Sequence, residues 1–147
     1  MGTTTAIRPA IRADLEPARA LLTANALPLD GFPAHPDSVW VAKEGERVVG
    51  VVALEPYPDG ALLRSLAVVN DARGQHLGRQ LVTAALNDVR RRNLRVVYLL
   101  TTTAESFFIH LGFRVIARDE VPDSVLESVE FRSACPTTAT AMSLRLG

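Results

Sequence analysis

The stretch from Ala61 to Thr102 confines this chain to few folds, because it reads as strand, glycine-bearing turn, amphipathic helix and strand in succession. Ala61 to Val69 is largely apolar and follows the turn-forming Pro58-Asp59-Gly60. Leu77, Leu81, Ala85 and Val89 then recur every fourth residue with Val82 and Leu86 beside them, while Arg79, Gln80, Asn87, Asp88 and Arg91 lie around the other side. Arg90, Arg91 and Arg92 close that helix, where cations complement its dipole. Arg95 to Thr102 is a near-continuous apolar run, as expected of a central strand covered on both faces. Two strands joined this way in one sheet form a right-handed parallel βαβ unit.

The flanking segments extend the sheet. Ile7 to Pro9 reads as a short strand and Ala13 to Leu27 as a helix with Pro17 in its first turn. Asp30 to Asp37, with three prolines, a glycine and a histidine, reads as an irregular loop. Ser38 to Lys43, Arg47 to Tyr57 and Ala61 to Val69 are strand-like runs separated by short turn-forming segments, which predicts an antiparallel meander. A short helix from Ala104 to Leu111 ends at Gly112, and Phe113 to Arg118 and Thr140 to Leu146 read as final strands. Asp119 to Pro136 stays open, with helical character around Ser124 to Ser128.

Composition narrows the function classes. The 147 residues fit one domain, read as spanning 1–147. Sixteen basic residues offset sixteen acidic ones, so no global field draws the chain to nucleic acid or to anionic lipid. The first twenty residues interrupt every apolar stretch with charge, which predicts neither a signal peptide nor a membrane span, and the expected location is cytoplasmic. The single Cys135 excludes an internal disulfide and reads as a small buried hydrophobe. His35 and His110 lack a visible third partner, so no metal site is expected.

Arg73-Gly74-Gln75-His76-Leu77-Gly78 lies where unpaired N–H groups and the dipole of a helix start favour an anion, and phosphate is the natural guest. Two glycines alone would equally describe a tight turn with no ligand. The run from Ser65 to Gly78, followed by Phe107-Phe108-Ile109-His110-Leu111-Gly112-Phe113, resembles the GCN5-related N-acetyltransferase superfamily in residue type and order over about Trp40 to Arg118. The resemblance implies one α/β domain with a mixed, mostly antiparallel sheet of about six or seven strands, a splayed central parallel pair and about four helices. It implies acetyl-CoA as co-substrate, with Leu66, Ala67 and Val68 against pantetheine and Arg73, Gly74, Gln75, His76, Leu77, Gly78 and Arg79 around the pyrophosphate. Phe107 and Phe108 complete the coenzyme site, and a homodimer is a further expectation.

Two departures bear on this reading. His76 stands where many members have glycine, which is tolerable only if its backbone stays near helical angles; it contacts phosphate or sits at an exposed helix start. Phe108 stands where many members place a tyrosine that protonates the departing thiolate, and phenylalanine cannot donate a proton.

The acceptor amine must be neutral to attack, so a carboxylate should take its proton. Glu55 is the expected base, with a solvated strand-end glutamate as its alternative; Glu130 is a weaker candidate. Arg64, beside Ser65 in an apolar strand, predicts an anchor for a substrate carboxylate or an internal ion pair with Glu55. Thr101 and Thr102 offer hydroxyls to substrate or cap the next helix, and Glu105 either meets substrate or charges a helix N-terminus. The runs Ala61 to Val68, Tyr98 to Glu105 and Glu130-Phe131 before Cys135-Pro136 resemble the arsenic-resistance N-acetyltransferases, and the threonine-rich strand end is similar to that of N-acetylglutamate synthases. Both resemblances imply acetylation of the α-amine of a small amino-acid-like molecule, in arsenic or toxic amino-acid resistance or on glutamate. Phe108 leaves open a third reading, an acetyl-CoA-binding sensor or partner subunit.

Overall fold

Alternating apolar runs and tight turns lay down most of the sheet locally. The computed structural model describes residues 5–33, 36–69, 76–134 and 138–146. β2 (Val39–Glu44), β3 (Arg47–Tyr57) and β4 (Gly60–Val68) form the antiparallel meander that their turns predict, and β1 (Thr5–Pro9) pairs antiparallel with β2 across the intervening helix and loop. α2 (Leu77–Arg91) then crosses to β5 (Val96–Thr101), which lies parallel to β4. The seven-stranded order is β1-β2-β3-β4-β5-β7-β6, with β7 (Thr140–Arg145) inserted antiparallel between β5 and β6 (Arg114–Ile116).

Three apolar clusters hold the layers. Leu77, Leu81, Val82, Ala85 and Val89 of α2, the spaced residues of the sequence pattern, pack on one face of the sheet with Leu54, Leu63, Leu99 and Met142. Asp88, expected on the polar side, is instead buried because the guanidinium groups of Arg91 and Arg92 fold back onto its carboxylate. Against the other face, Ala18, Leu21 and Leu22 of α1 (Arg12–Ala24) cover Val41, Val51 and Ala53.

α1 ends three residues before the predicted Leu27. Ala26 N–H donates to Thr23 O and Leu27 N–H to Leu22 O, while the Asn25 side chain caps Leu21 O. Ala26 takes a left-handed φ of 56° in a position usually held by glycine. The undecided 119–136 segment forms a 3-10 turn at Arg118–Glu120, α4 (Asp123–Leu126) and a π-helical turn at Glu130–Ala134. Val121, Val125 and Phe131 from it cover Leu62 and Tyr98, sealing the β4–β5 junction on the α1 side. Among the described residues, no helix is long and apolar enough to cross a membrane.

The approach of α2 to the sheet depends on Gly50. A Cβ there would stand 2.8 Å from Leu81 Cδ1 and 3.3 Å from the Ala42 Cβ, and both residues are fully buried. Gly50→Ala is therefore expected to lower unfolding free energy by about 1–3 kcal/mol through overpacking, read as a lower urea midpoint with an unchanged m-value.

Candidate functional site

The site begins with one surplus residue in β4. Val51 pairs with Ala67 and Ala53 with Arg64, so Val52 alone opposes both Ser65 and Leu66. Ser65 absorbs this bulge at a left-handed φ of 61°. Ala61 and Leu63 point to the α2 side before the bulge, Leu66 and Val68 after it, so the facing parity flips. The parallel ladder to β5 consists of Ala61–Val97 and Leu62–Tyr98, and beyond it the strands part.

A cavity of about 960 Å³ occupies the opening. Leu63 to Val68 of β4 line one wall, and Leu99 to Ala104, at and beyond the end of β5, line the other. Its mouth is formed by His76 and the first turn of α2, Leu77 to Arg79, together with Phe107 and His110 of α3 (Glu105–His110). Asn25 to Pro28, the loop that leaves α1, and Glu130 also line it. Sequence reasoning did not anticipate the loop wall, since a helix was expected to run through Leu27. Arg73, Gly74, Gln75, His35 and Cys135 lie outside the described residues.

His76 corrects one expectation. It takes φ 61° and ψ 20°, the left-handed region and not helical angles, at the N-cap of α2. A side chain there carries about 1–2 kcal/mol of backbone strain that glycine would not. Phe108 is buried edge-to-face between Phe107 and Phe113, at centroid distances of 5.1 and 5.4 Å. Gly78 lets α2 pass close to α3, since a Cβ would lie 3.3 Å from Phe107 Cζ.

Arg64 is enclosed. Its Nε donates to Ser65 Oγ (3.1 Å), Nη1 to Glu55 Oε2 (3.0 Å) and Nη2 to Pro28 O (3.3 Å), with Glu130 Oε2 3.7 Å from Nη2. Gly31 covers Nη1, its Cβ direction ending 3.4 Å away. The Arg64 side chain is 1 % exposed, so a substrate carboxylate cannot reach it while these contacts stand. Of the two readings of Arg64, the ion pair is the one present.

Glu55, the expected base, is buried behind Arg64 and does not line the cavity. Its Oε1 accepts the Tyr57 hydroxyl and its Oε2 accepts Arg64, so both oxygens are engaged inside the fold. Glu105 is exposed at the first turn of α3, off the cavity lining, where it complements the helix dipole. Thr101 Oγ1 accepts the Ala104 N–H at 3.0 Å and caps the turn into α3, whereas Thr102 and Thr103 are exposed at the cavity edge. Glu130, ranked behind Glu55 from sequence, is the one carboxylate among the described residues of the lining.

With this geometry in place, the comparisons with known proteins define the class. A profile of the acetyltransferase (GNAT) domain matches residues 35–115, more than half the sequence, and the chain belongs to this family. N-acetyltransferase 8B of Mus musculus is 32% identical over 90 residues, 54% of this chain and 39% of that protein. The chain thus spans about two fifths of the length of that relative. N-acetylglutamate synthase from Neisseria gonorrhoeae, solved with coenzyme A and N-acetyl-glutamate, superposes with a TM-score of 0.84 at 19% identity, covering 100% of this chain and 36% of that one. A Mycobacterium tuberculosis protein solved in complex with CoA gives 0.82 at 24% identity over 97% of this chain and 99% of that one. At these identities the superpositions speak to a shared fold.

The hydroxyl of half-buried Tyr57 is pushed well above its ordinary value, first by burial and then by its hydrogen bond to the Glu55 carboxylate and the nearby charge. A tyrosine held neutral in the folded state stabilises the fold below its unfolded pKa and loses that contribution as pH rises above about 10, where only the unfolded chain ionises. Tyr57→Phe is expected to cost about 1.5–3 kcal/mol near neutral pH, the worth of a hydrogen bond to a charged group. In urea titrations across alkaline pH the gap to wild type should narrow above about pH 10; a constant gap would place the Tyr57 proton elsewhere.

Proposed function

We propose that the chain is an N-acetyltransferase that receives acetyl-CoA in the opening between β4 and β5 and passes the acetyl group to a small-molecule primary amine. The observation that carries this reading is the partition of β4 and β5 at the Ser65–Leu66 bulge, with the first turn of α2 at the mouth of the resulting cavity. A long, flexible thioester needs a slot lined by strand backbone, and its diphosphate needs N–H groups and positive charge. In this reading Leu66, Ala67 and Val68 line the pantetheine path, and backbone N–H groups near the bulge polarise the thioester oxygen. His76, Leu77, Gly78 and Arg79, with Arg73, Gly74 and Gln75 preceding them, receive the diphosphate, and Phe107 flanks the coenzyme.

The likeness in fold to a synthase solved with N-acetyl-glutamate supports an amino-acid-like acceptor. The enclosure of Arg64 removes the carboxylate anchor expected from sequence, which leaves the hydroxyls of Thr102 and Thr103 at the cavity edge for that task. Action on arsenical or phosphinothricin-like amino acids rests on the resemblance of the Ala61 to Val68 and Tyr98 to Glu105 runs. Phe108 favours a second reading, a coenzyme-binding module, because its ring has no proton for the departing sulfur.

Calorimetry with acetyl-CoA and a thiol-release assay over glutamate, phosphinothricin and an arsenical amino acid separate these readings. Binding with thiol release supports the enzyme; binding without release across the panel supports the module; no binding removes both. Arg79 is exposed on the first turn of α2. Arg79→Glu is expected to weaken acetyl-CoA about tenfold by placing negative charge beside the diphosphate, while leaving the melting temperature near wild type because an acid suits a helix start.

A further inference from the structure

Ser65 holds a backbone conformation that serine seldom takes. Its φ of 61° lies in the left-handed region, at the bulge position where glycine is the usual residue. Glycine would relieve that strain, and a strained side chain on a cavity wall points to a task for the side chain itself.

The local hydrogen bonding says what the side chain can do. In a regular strand successive side chains point to opposite faces, but the bulge breaks that alternation, and Arg64 Nε donates to Ser65 Oγ at 3.1 Å. A guanidinium carries donors only, so it can never accept the serine proton. Ser65 is thereby fixed as a donor. Arg64 is itself held in place, since Glu55 and Pro28 O engage its terminal nitrogens. Among the described residues no group accepts the Ser65 hydroxyl proton, and Ser65 lines the cavity, half-buried. The charged donor behind it also strengthens the O–H, because hydrogen bonds in series polarise one another. Of the other hydroxyls in the described lining, Thr101 is held by an uncharged backbone N–H, and Thr102 and Thr103 are exposed at the edge.

We propose that the Ser65 hydroxyl donates a hydrogen bond to the thioester carbonyl oxygen of acetyl-CoA and so acts as a catalytic residue. The inference rests on the acetyltransferase reading and deepens it by assigning a side chain to the reacting carbonyl. β4 leads from Ser65 through Leu66, Ala67 and Val68 toward the α2 turn at the mouth, so a coenzyme entering there brings its acyl end to Ser65 last. A carbonyl oxygen that only accepts then meets a hydroxyl left only to donate. Attack by a neutral amine forms the C–N bond and moves the carbonyl π pair onto oxygen, where the Ser65 O–H meets the new negative charge and keeps its own proton. As that pair returns, the C–S bond breaks, its electrons leave on sulfur, and sulfur takes the proton released by nitrogen. The products are the N-acetyl amine and CoA thiol, with Ser65 unchanged. A fixed donor favours the oxyanion over the ground-state carbonyl, so its contribution falls mainly on kcat.

The competing role for Ser65 is to satisfy Arg64 Nε and nothing more. Ser65→Ala and Ser65→Gly both remove the hydroxyl; alanine keeps the backbone strain and glycine relieves it, so glycine carries the test if Ser65→Ala does not fold. Each is compared with wild type by acetyl-CoA calorimetry, by thiol release with alaninamide, and by infrared difference spectra of bound acetyl-CoA isotopically labelled at the carbonyl carbon. Hydrogen bonding lowers the C=O stretch, so the band should rise in both variants. Acetyl-CoA affinity should stay within about threefold, since the lost contact is strongest in the transition state, and kcat should fall about 100-fold, the usual share of one such donor. A band that does not move in either variant would overturn the assignment whatever the rate does, and would leave Ser65 as the acceptor for Arg64. A band that rises with kcat unchanged, or wild type that binds acetyl-CoA and releases no thiol, would overturn the catalytic role. Absence of acetyl-CoA binding in wild type would instead remove the acetyltransferase reading from which the inference starts.

Discussion

Backbone pairing forbids a continuous β4–β5 ladder once a surplus residue sits in β4. Val52 faces Ser65 and Leu66 together, and the left-handed turn at Ser65 rotates the strand so that its facing residues change parity. Two parallel pairs, Ala61–Val97 and Leu62–Tyr98, are all that the ladder retains. The cavity, its strand-backbone wall and the entry of α2 at its mouth all follow from that interruption. The three apolar clusters make the opening tolerable: α2 packs on one face, α1 on the other, and Val121, Val125 and Phe131 seal the junction where the strands still touch.

Charge beside the cavity is organised around a sealed cation. An arginine in an apolar strand is costly unless its donors are used, and here Ser65, Glu55 and Pro28 use them while Gly31 covers the remaining side. The pairing reaches across β3, β4 and the loop after α1, so Arg64 ties the loop wall of the cavity to the sheet. Glu130 joins this arrangement from a segment near the C-terminus, which puts a carboxylate from about 65 residues further along the chain beside the β4 bulge.

The mouth carries a different compromise. His76 holds a backbone conformation suited to glycine, and Gly78 two residues on gives Phe107 room to pack against α2. Strain at a turn persists when the surrounding structure over-determines it; here α2 is anchored one residue later by Leu77, which is buried in the core beneath it. Phe108 closes the α3 side as a packed ring between two others.

Periodicity and turn chemistry are local properties, so the sequence by itself determined the meander, the βαβ crossover and the buried stripe of α2. The Gly-bearing turn and the LGF run, set at their spacing, also determined the family. Arg64 was legible as a charge needing a partner, and its adjacency to Ser65 marks the bulge in retrospect, because two polar neighbours break a period-2 strand. Tertiary structure alone decided which anion Arg64 meets and that Glu55 turns inward while Glu130 reaches the cavity. Those outcomes depend on contacts between residues 9 to 66 positions apart in the chain, such as Glu55 with Arg64 and Arg64 with Glu130. No local pattern encodes them, since the same glutamate is solvated, paired or aimed at a ligand according to what packs beside it.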